Sequence, residues 1–232
     1  MKLLALESSG LVASVAIVED EILIAEYTTD FKKTHSQTLL PMVDEIVSMT
    51  ETDLSSIDAV AVSAGPGSFT GLRIGAATAK GLCLALDKPL IPVPTLDAMI
   101  YGAGPTEKLV VPIMDARRNQ VYTKLDGKST AMDMQELISK LNGQTAEVLF
   151  LGDGVPVYRT QIEAEMKVPY SFAPAHINRQ RAASVGALAL TLKPISADDF
   201  APEYLRKSQA EREREQKIET ATPPSDRFLN IC

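Results

Sequence analysis

Two stretches of this chain, about a hundred residues apart, follow one plan, and that repetition constrains the fold more than any single motif. Leu3-Leu4-Ala5-Leu6 is a short apolar run that stops at Glu7-Ser8-Ser9-Gly10. Such a run reads as a strand buried on both faces, with a polar loop at its carboxyl end. Leu109-Val110-Val111-Pro112-Ile113-Met114 repeats the pattern and stops at Asp115. Strands expected over 12–18 and 22–25, joined by Glu19-Asp20-Glu21, are echoed by 121–125 with its turn Asp126-Gly127. Residues 147–154 echo residues 58–65 in the same way, and 90–93 reads as a further short strand. Leu39, Met42, Val43, Ile46 and Met49 recur at helical spacing and predict an amphipathic helix. Pro41 then belongs in its first turn or kinks it. Further helices are expected over about 70–86, 155–165 and 182–192.

Strand sets alternating with helices define an α/β protein. The doubling predicts two related subdomains, 1–103 and 104–206, facing each other across a cleft. The alternative is an accidental likeness between two ordinary α/β halves. Residues 207–232 are set apart: nine of the fourteen residues 206–219 are charged, with both signs interleaved. That pattern reads as a solvated helix extension or a frayed terminus, and Pro223-Pro224 ends any helix.

Charge and cysteine content narrow the function. With 23 Lys and Arg against 30 Asp and Glu, the chain carries a formal charge of −7. Nucleic-acid binding rests on clustered cations, so any such role is expected to run through a basic partner. Cys83 and Cys232 build no disulfide framework, which points to a reducing cytosol. The N-terminus is too short in apolar residues for a signal core, and no apolar run approaches the roughly 18 residues of a membrane helix.

The chemistry-bearing residues are sparse. His35 and His176 are the only histidines and have no neighbouring partners, whereas zinc wants three or four clustered ligands. No nucleophile elbow is present. Glu7 and Asp115 end the two opening strands, where α/β folds place ligand sites, and with Ser8 they are the candidate cleft residues. They serve equally well as caps of the loops that follow. The loop Gly65-Pro66-Gly67-Ser68-Phe69-Thr70-Gly71 misses the dinucleotide spacing by one residue and lacks a phosphate-loop lysine. A helix start there, helped by Arg73, could hold an anion. Gly71, Gly75 and Ala79 instead recur every four residues and form a flat stripe suited to close helix approach. With Leu72 and the stripe of Leu39, Met42, Val43 and Ile46, they define a two-helix docking face, which is the favoured reading.

The whole signature, Ala64-Gly65-Pro66-Gly67-Ser68-Phe69-Thr70-Gly71-Leu72-Arg73-Ile74-Gly75, resembles that of the TsaB family, also called YeaZ. Leu4-Ala5-Leu6-Glu7-Ser8-Ser9, His35-Ser36-Gln37, the stretch 114–122 and Pro202-Glu203-Tyr204-Leu205-Arg206 match as well. The resemblance covers residues 1 to about 206. It implies the actin-like ATPase fold in two duplicated subdomains. It implies a non-catalytic subunit that supports a catalytic paralogue, TsaD, in making threonylcarbamoyladenosine in transfer RNA, together with the ATPase TsaE. Docking on the paralogue, or on a second copy, would use the two-helix face. In the paralogue a metal is held by two histidines. Here Thr95 and Met99 stand at the corresponding positions, and a hydroxyl and a thioether are poor ligands. No cofactor is expected on this chain alone, with ATP and a metal in the catalytic partner. Transfer RNA is expected to be contacted only indirectly, and no membrane is involved. The alternatives are a nucleotide-binding or hydrolysing enzyme that uses the cleft, and a peptidase-like hydrolase.

Overall fold

The computed structural model describes residues 1–31 and 34–206; the charged tail lies outside the described residues. Two five-stranded sheets are built to one pattern. In the first, β1 (Lys2–Glu7) is flanked by β2 (Ala13–Glu19) and β4 (Ala59–Gly65), with β3 (Ile22–Thr29) and β5 (Leu90–Pro94) at the edges, giving the order β3-β2-β1-β4-β5. The second comprises β6 (Leu109–Asp115), β7 (Gln120–Leu125), β8 (Lys128–Asp133), β9 (Val148–Leu151) and β10 (Tyr170–Phe172), in the order β10-β9-β6-β7-β8. That is the same arrangement read from the other edge. The pairing senses agree too. The opening strand runs antiparallel to the second strand of its half and parallel to the fourth, and the fourth and fifth are parallel.

Helices repeat the plan. Those of the first half are α1 (His35–Met49), α2 (Phe69–Leu86) and α3 (Thr95–Gly102); those of the second are α4 (Met134–Leu141), α5 (Val155–Glu165) and α6 (Ala182–Ala189). The doubled outline is therefore a duplication of topology. α3 and α4 were not expected from the sequence. α1 also starts four residues earlier than the apolar stripe indicates, so Pro41 lies well inside the helix and not in its first turn. The proline and Gln37, whose carbonyl loses its helical partner, both lie on the exposed side, so the unpaired carbonyl is not sealed in the core.

Side-chain alternation along the strands divides the core. In β1, Leu4 and Leu6 face α1 and α2, packing with Leu39, Val43, Ile46, Ala79 and Cys83. Leu3 and Ala5 face the opposite way, against Ala182, Val185 and Ala189 of α6. Gly186 lets α6 settle closely there, since a Cβ on it would lie 2.7 Å from Val18 Cγ2. α3 is shared: Ala98 packs with the first sheet, while Leu96 and Met99 pack with Met114 and Leu151 of the second. The order of layers is α1/α2, first sheet, α3/α6, second sheet, α4/α5. The expected boundary at 103/104 separates the two sheets, but α6 and the residues after it return to the first. Ile195 pairs with Leu90, and Phe200 is buried in the core beneath α1 and α2.

Candidate docking surface and cleft

α2 begins where β4 ends, and the glycine loop is shaped by what lies against it. Ser68 caps the helix by accepting the Gly71 N–H at 3.3 Å, and its own N–H donates to Ser9 O at 2.6 Å. A Cβ on Gly71 would sit 2.0 Å from Ser8 O, and one on Gly75 would sit 2.3 Å from Ser8 Oγ. Ser8 Oγ in turn donates to Gly71 O at 2.9 Å. The small-residue stripe thus receives the turn after β1 of the same chain.

This corrects the expected docking face. Leu39, Val43, Ile46, Leu72 and Ala79 are each less than 5% exposed, Gly71 and Gly75 are buried, and Met42 is half-buried against the same core. An amphipathic helix first buries its apolar stripe on its own sheet, so periodicity finds the inner face of α1 and α2. Their outer sides carry different residues. Leu40, Met49 and Leu84 are 56%, 68% and 86% exposed, and Asp44, Glu45, Arg73 and Ala77 on the same helices are exposed as well. Large apolar side chains are thus left open on both helices.

The cleft, of about 340 Å³, lies between the carboxyl ends of β1 and β6 and is lined by Ser9, Gly67, Ser68, Phe69, Asp115 and Asp153, among others. Of the three expected cleft residues, Asp115 lines it; Glu7 and Ser8 do not, Ser8 being buried against α2 and Glu7, on the other face of β1, beside Ser9, Ser63 and Asp153. Glu7 Oε1 accepts both the N–H and the hydroxyl of Ser9, at 2.5 Å each, as a loop cap does. Burial pushes the Glu7 carboxyl up to about 7, outweighing the hydrogen bonds that favour its charged form. Asp115 also caps its turn, accepting the Arg117 N–H at 2.9 Å and meeting the Arg117 guanidinium at 3.1 Å. Tyr158 donates to it at 3.3 Å, and burial with the Asp115 charge holds that phenol at about 12, a donor throughout the physiological range.

Sequence reasoning missed Asp153. It follows Gly152 at the end of β9, as Pro66 follows Gly65 at the end of β4, and both glycines have left-handed φ, 112° and 118°. Its Oδ1 accepts the Asp115 N–H at 3.2 Å, and burial raises its pKa. The Gln180 amide lies against it and draws the pKa back down, but neither polar atom of that amide completes a hydrogen bond. Arg117, Arg118 and Asn119 carry the rim over in three successive left-handed residues, φ 64°, 57° and 60°. Such backbone is costly and persists where the surroundings over-determine it.

The other sequence candidates have internal roles. His35 Nε2 lies 2.9 Å from Gly10 O, pinning the turn between β1 and β2. Thr95 Oγ1 accepts the Gly65 N–H at 3.2 Å, and Met99 fills the core between the sheets. This pair fits no metal ion, and among the described residues no three His, Cys, Asp or Glu side chains gather to hold one. Phe69 packs against Tyr204, at 4.5 Å between ring centroids, and the Arg73 guanidinium lies 4.0 Å from its ring centre. Pro66 is buried, and Thr70 is exposed on the first turn of α2.

Comparison with known proteins places this geometry. The family model for TsaD, tRNA N6-adenosine threonylcarbamoyltransferase, matches residues 23–214. The Bacillus subtilis tRNA threonylcarbamoyladenosine biosynthesis protein TsaB is 29% identical over 91% of this chain and 96% of its own length. A Pseudomonas aeruginosa crystal structure, described as an uncharacterized protein with similarity to peptidase YeaZ, superposes with a TM-score of 0.72. That match is 25% identical and covers 88% of this chain and 99% of the other. (R)-2-hydroxyglutaryl-CoA dehydratase component A of Acidaminococcus fermentans shares the fold at 11% identity, with a TM-score of 0.51 over 82% of this chain and 98% of that one. Two duplicated lobes about a cleft define an α/β protein of the actin-like ATPase fold. The chain belongs to the family of the matching model, in its TsaB (YeaZ) branch. No helix among the described residues is long and apolar enough to cross a membrane.

Proposed function

We propose that this chain is a non-catalytic subunit in the biosynthesis of threonylcarbamoyladenosine in transfer RNA. It docks on a TsaD-like catalytic paralogue through the outward sides of α1 and α2, and the pair is completed by a TsaE-like ATPase. The observation that carries the reading is the exposure of Leu40 on α1 and Leu84 on α2, two neighbouring helices whose inner stripes are already spent on the core. In a second copy of the chain the same surface supplies the homodimer that forms when the paralogue is absent.

The cleft fits a supporting role. Its charged lining is the two carboxylates Asp115 and Asp153 and one cation, Arg117, which is already ion-paired to Asp115, and among the described residues no lysine lines it. Neither His35 nor His176 is hydrogen-bonded to a serine among the described residues, so the acyl-transfer arrangement of a peptidase is not assembled. ATP and a catalytic metal are assigned to the partners, transfer RNA is reached through them, and the complex works in the cytoplasm. The subunit acts by holding its paralogue in a competent conformation.

Reconstitution tests this. The paralogue, the ATPase, the adenylate-forming enzyme, threonine, bicarbonate, ATP and transfer RNA are combined with and without the chain. Modified transfer RNA is expected only with the chain, and none from the chain without the paralogue. Equal product in both mixtures overturns the assignment.

A further inference from the structure

The segment that follows α6 crosses from one half of the molecule to the other at the mouth of the cleft. It starts on the first half: the Leu90 N–H donates to Ile195 O at 3.0 Å, and the Ile195 N–H donates to Leu90 O at 2.8 Å. Phe200 then plugs the first core. At the glycine loop, the Glu203 N–H donates to Ala64 O at 2.7 Å, and Gly65 is required because a Cβ there would lie 2.3 Å from Glu203 O. Tyr204 packs on Phe69 with the rings tilted by 38°, and the Arg73 guanidinium lies over the Phe69 ring. Two residues later the Arg206 guanidinium donates to Ala116 O in the second half, at the entrance to the left-handed turn.

We propose that residues 195–206 form a clasp that fixes the opening of the cleft, with Arg206 as its closing contact. Closure or opening of two lobes requires Ala64 and Ala116 to move relative to each other. The backbone between Glu203 and Arg206 spans at most about 11 Å even when fully extended; one end is tied by the Glu203 N–H and the other through the Arg206 side chain. The Phe69–Tyr204 stack removes the remaining slack on the first half. On the second half, the Ala116 N–H donates to Gln120 O at 2.9 Å, so a pull on the Ala116 carbonyl is carried directly into the turn of Arg117, Arg118 and Asn119. The clasp also explains why the glycine loop, the Asp115 turn and residues 202–206, far apart in the sequence, form one structural unit. It holds the lobes in one relative position. This inference does not depend on the docking role.

Hydrogen exchange of the full chain, read by mass spectrometry at fixed pH, tests it with Arg206→Ala and with Tyr204→Leu. Both variants are expected to speed exchange of amides in 115–120 and 66–72 by tenfold or more, leaving 3–6 and 148–151 at wild-type rates. Unchanged rates in 115–120, or equal acceleration throughout the chain, overturn the clasp. Should Arg206→Ala not yield folded protein, Arg206→Lys keeps the charge without the planar fork and is read against the same two outcomes.

Discussion

The two halves share one topology and have put it to different uses. β1 ends in Glu7 and β6 in Asp115, yet Glu7 is 1% exposed, enclosed beside Ser9, Ser63 and Asp153, while Asp115 lines the cleft. The difference lies in what covers each strand end. The first half has long helices, 15 residues in α1 and 18 in α2, and the glycine stripe of α2 closes over Ser8. Its counterparts α4 and α5 have 8 and 11 residues, and the end of β6 stays open. A strand-end carboxylate is therefore not a site by position alone. The lobe with the longer helices has internalised its strand end and presents the backs of those helices as surface.

Substitutions in the first half sharpen or break that contrast. Ile46→Ala empties a fully buried position between α1 and the first sheet and is expected to cost about 4 kcal/mol in a urea melt. Leu40→Ala, one residue outside the stripe, is expected to stay within about 0.5 kcal/mol of wild type. Equal losses would mean that the inner and outer faces are misassigned.

Next in size is the pH dependence contributed by Glu7. Its folded pKa is raised from 4.5 to about 7, so the fold disfavours the charged form. This contribution is absent below the unfolded value. Stability then declines as pH rises from 4.5 to about 7, by up to about 3 kcal/mol, and levels off above that. The raised pKa of Asp153 acts with the same sign. Melting midpoints of Glu7→Gln across this window are expected to slope less than those of wild type. A slope identical to wild type would place the titration elsewhere.

Gly71→Ala forces a methyl group against Ser8 O and is expected to cost about 2–3 kcal/mol by chemical denaturation. A neutral result would show that the stripe does not receive the β1 turn. The smallest effect has the opposite sign. Gly81 lies in the same helix, and a methyl group placed there would meet nothing within 4 Å, so Gly81→Ala is expected to gain about 0.5–1 kcal/mol. A loss there would reveal a neighbour on the outer side of α2.

The strands were legible because each is a short apolar run cut off by a polar turn, and because the run at 3–6 recurs at 109–114. α4 was equally legible and overlooked: Met134, Leu137, Ile138 and Leu141 keep helical spacing behind Asp133, whose side chain accepts the Gln135 N–H at 2.8 Å. α3 lacks such a signal, since it has only eight residues and is packed on two sides, so its buried Thr95, Leu96, Ala98 and Met99 form no single stripe. The docking surface was misread for a physical reason. Periodicity identifies a buried face without saying what buries it, and here that is the chain's own sheet. Asp153 and the Phe69–Tyr204 stack lay beyond reach for another reason. A lone carboxylate has no pattern, and the two rings are brought together by tertiary structure across more than a hundred residues.

The central claim is that the outer sides of α1 and α2 dock the catalytic paralogue. Calorimetric titration of the paralogue with wild-type chain and with Leu40→Glu and Leu84→Glu tests it most directly. Both side chains are exposed, so neither charge is expected to shift the melting midpoint of the free chain. The account predicts that each weakens the complex by at least about a hundredfold, as loss of an apolar anchor does at an interface. Affinity equal to wild type for both variants, with the chain folded, would contradict it.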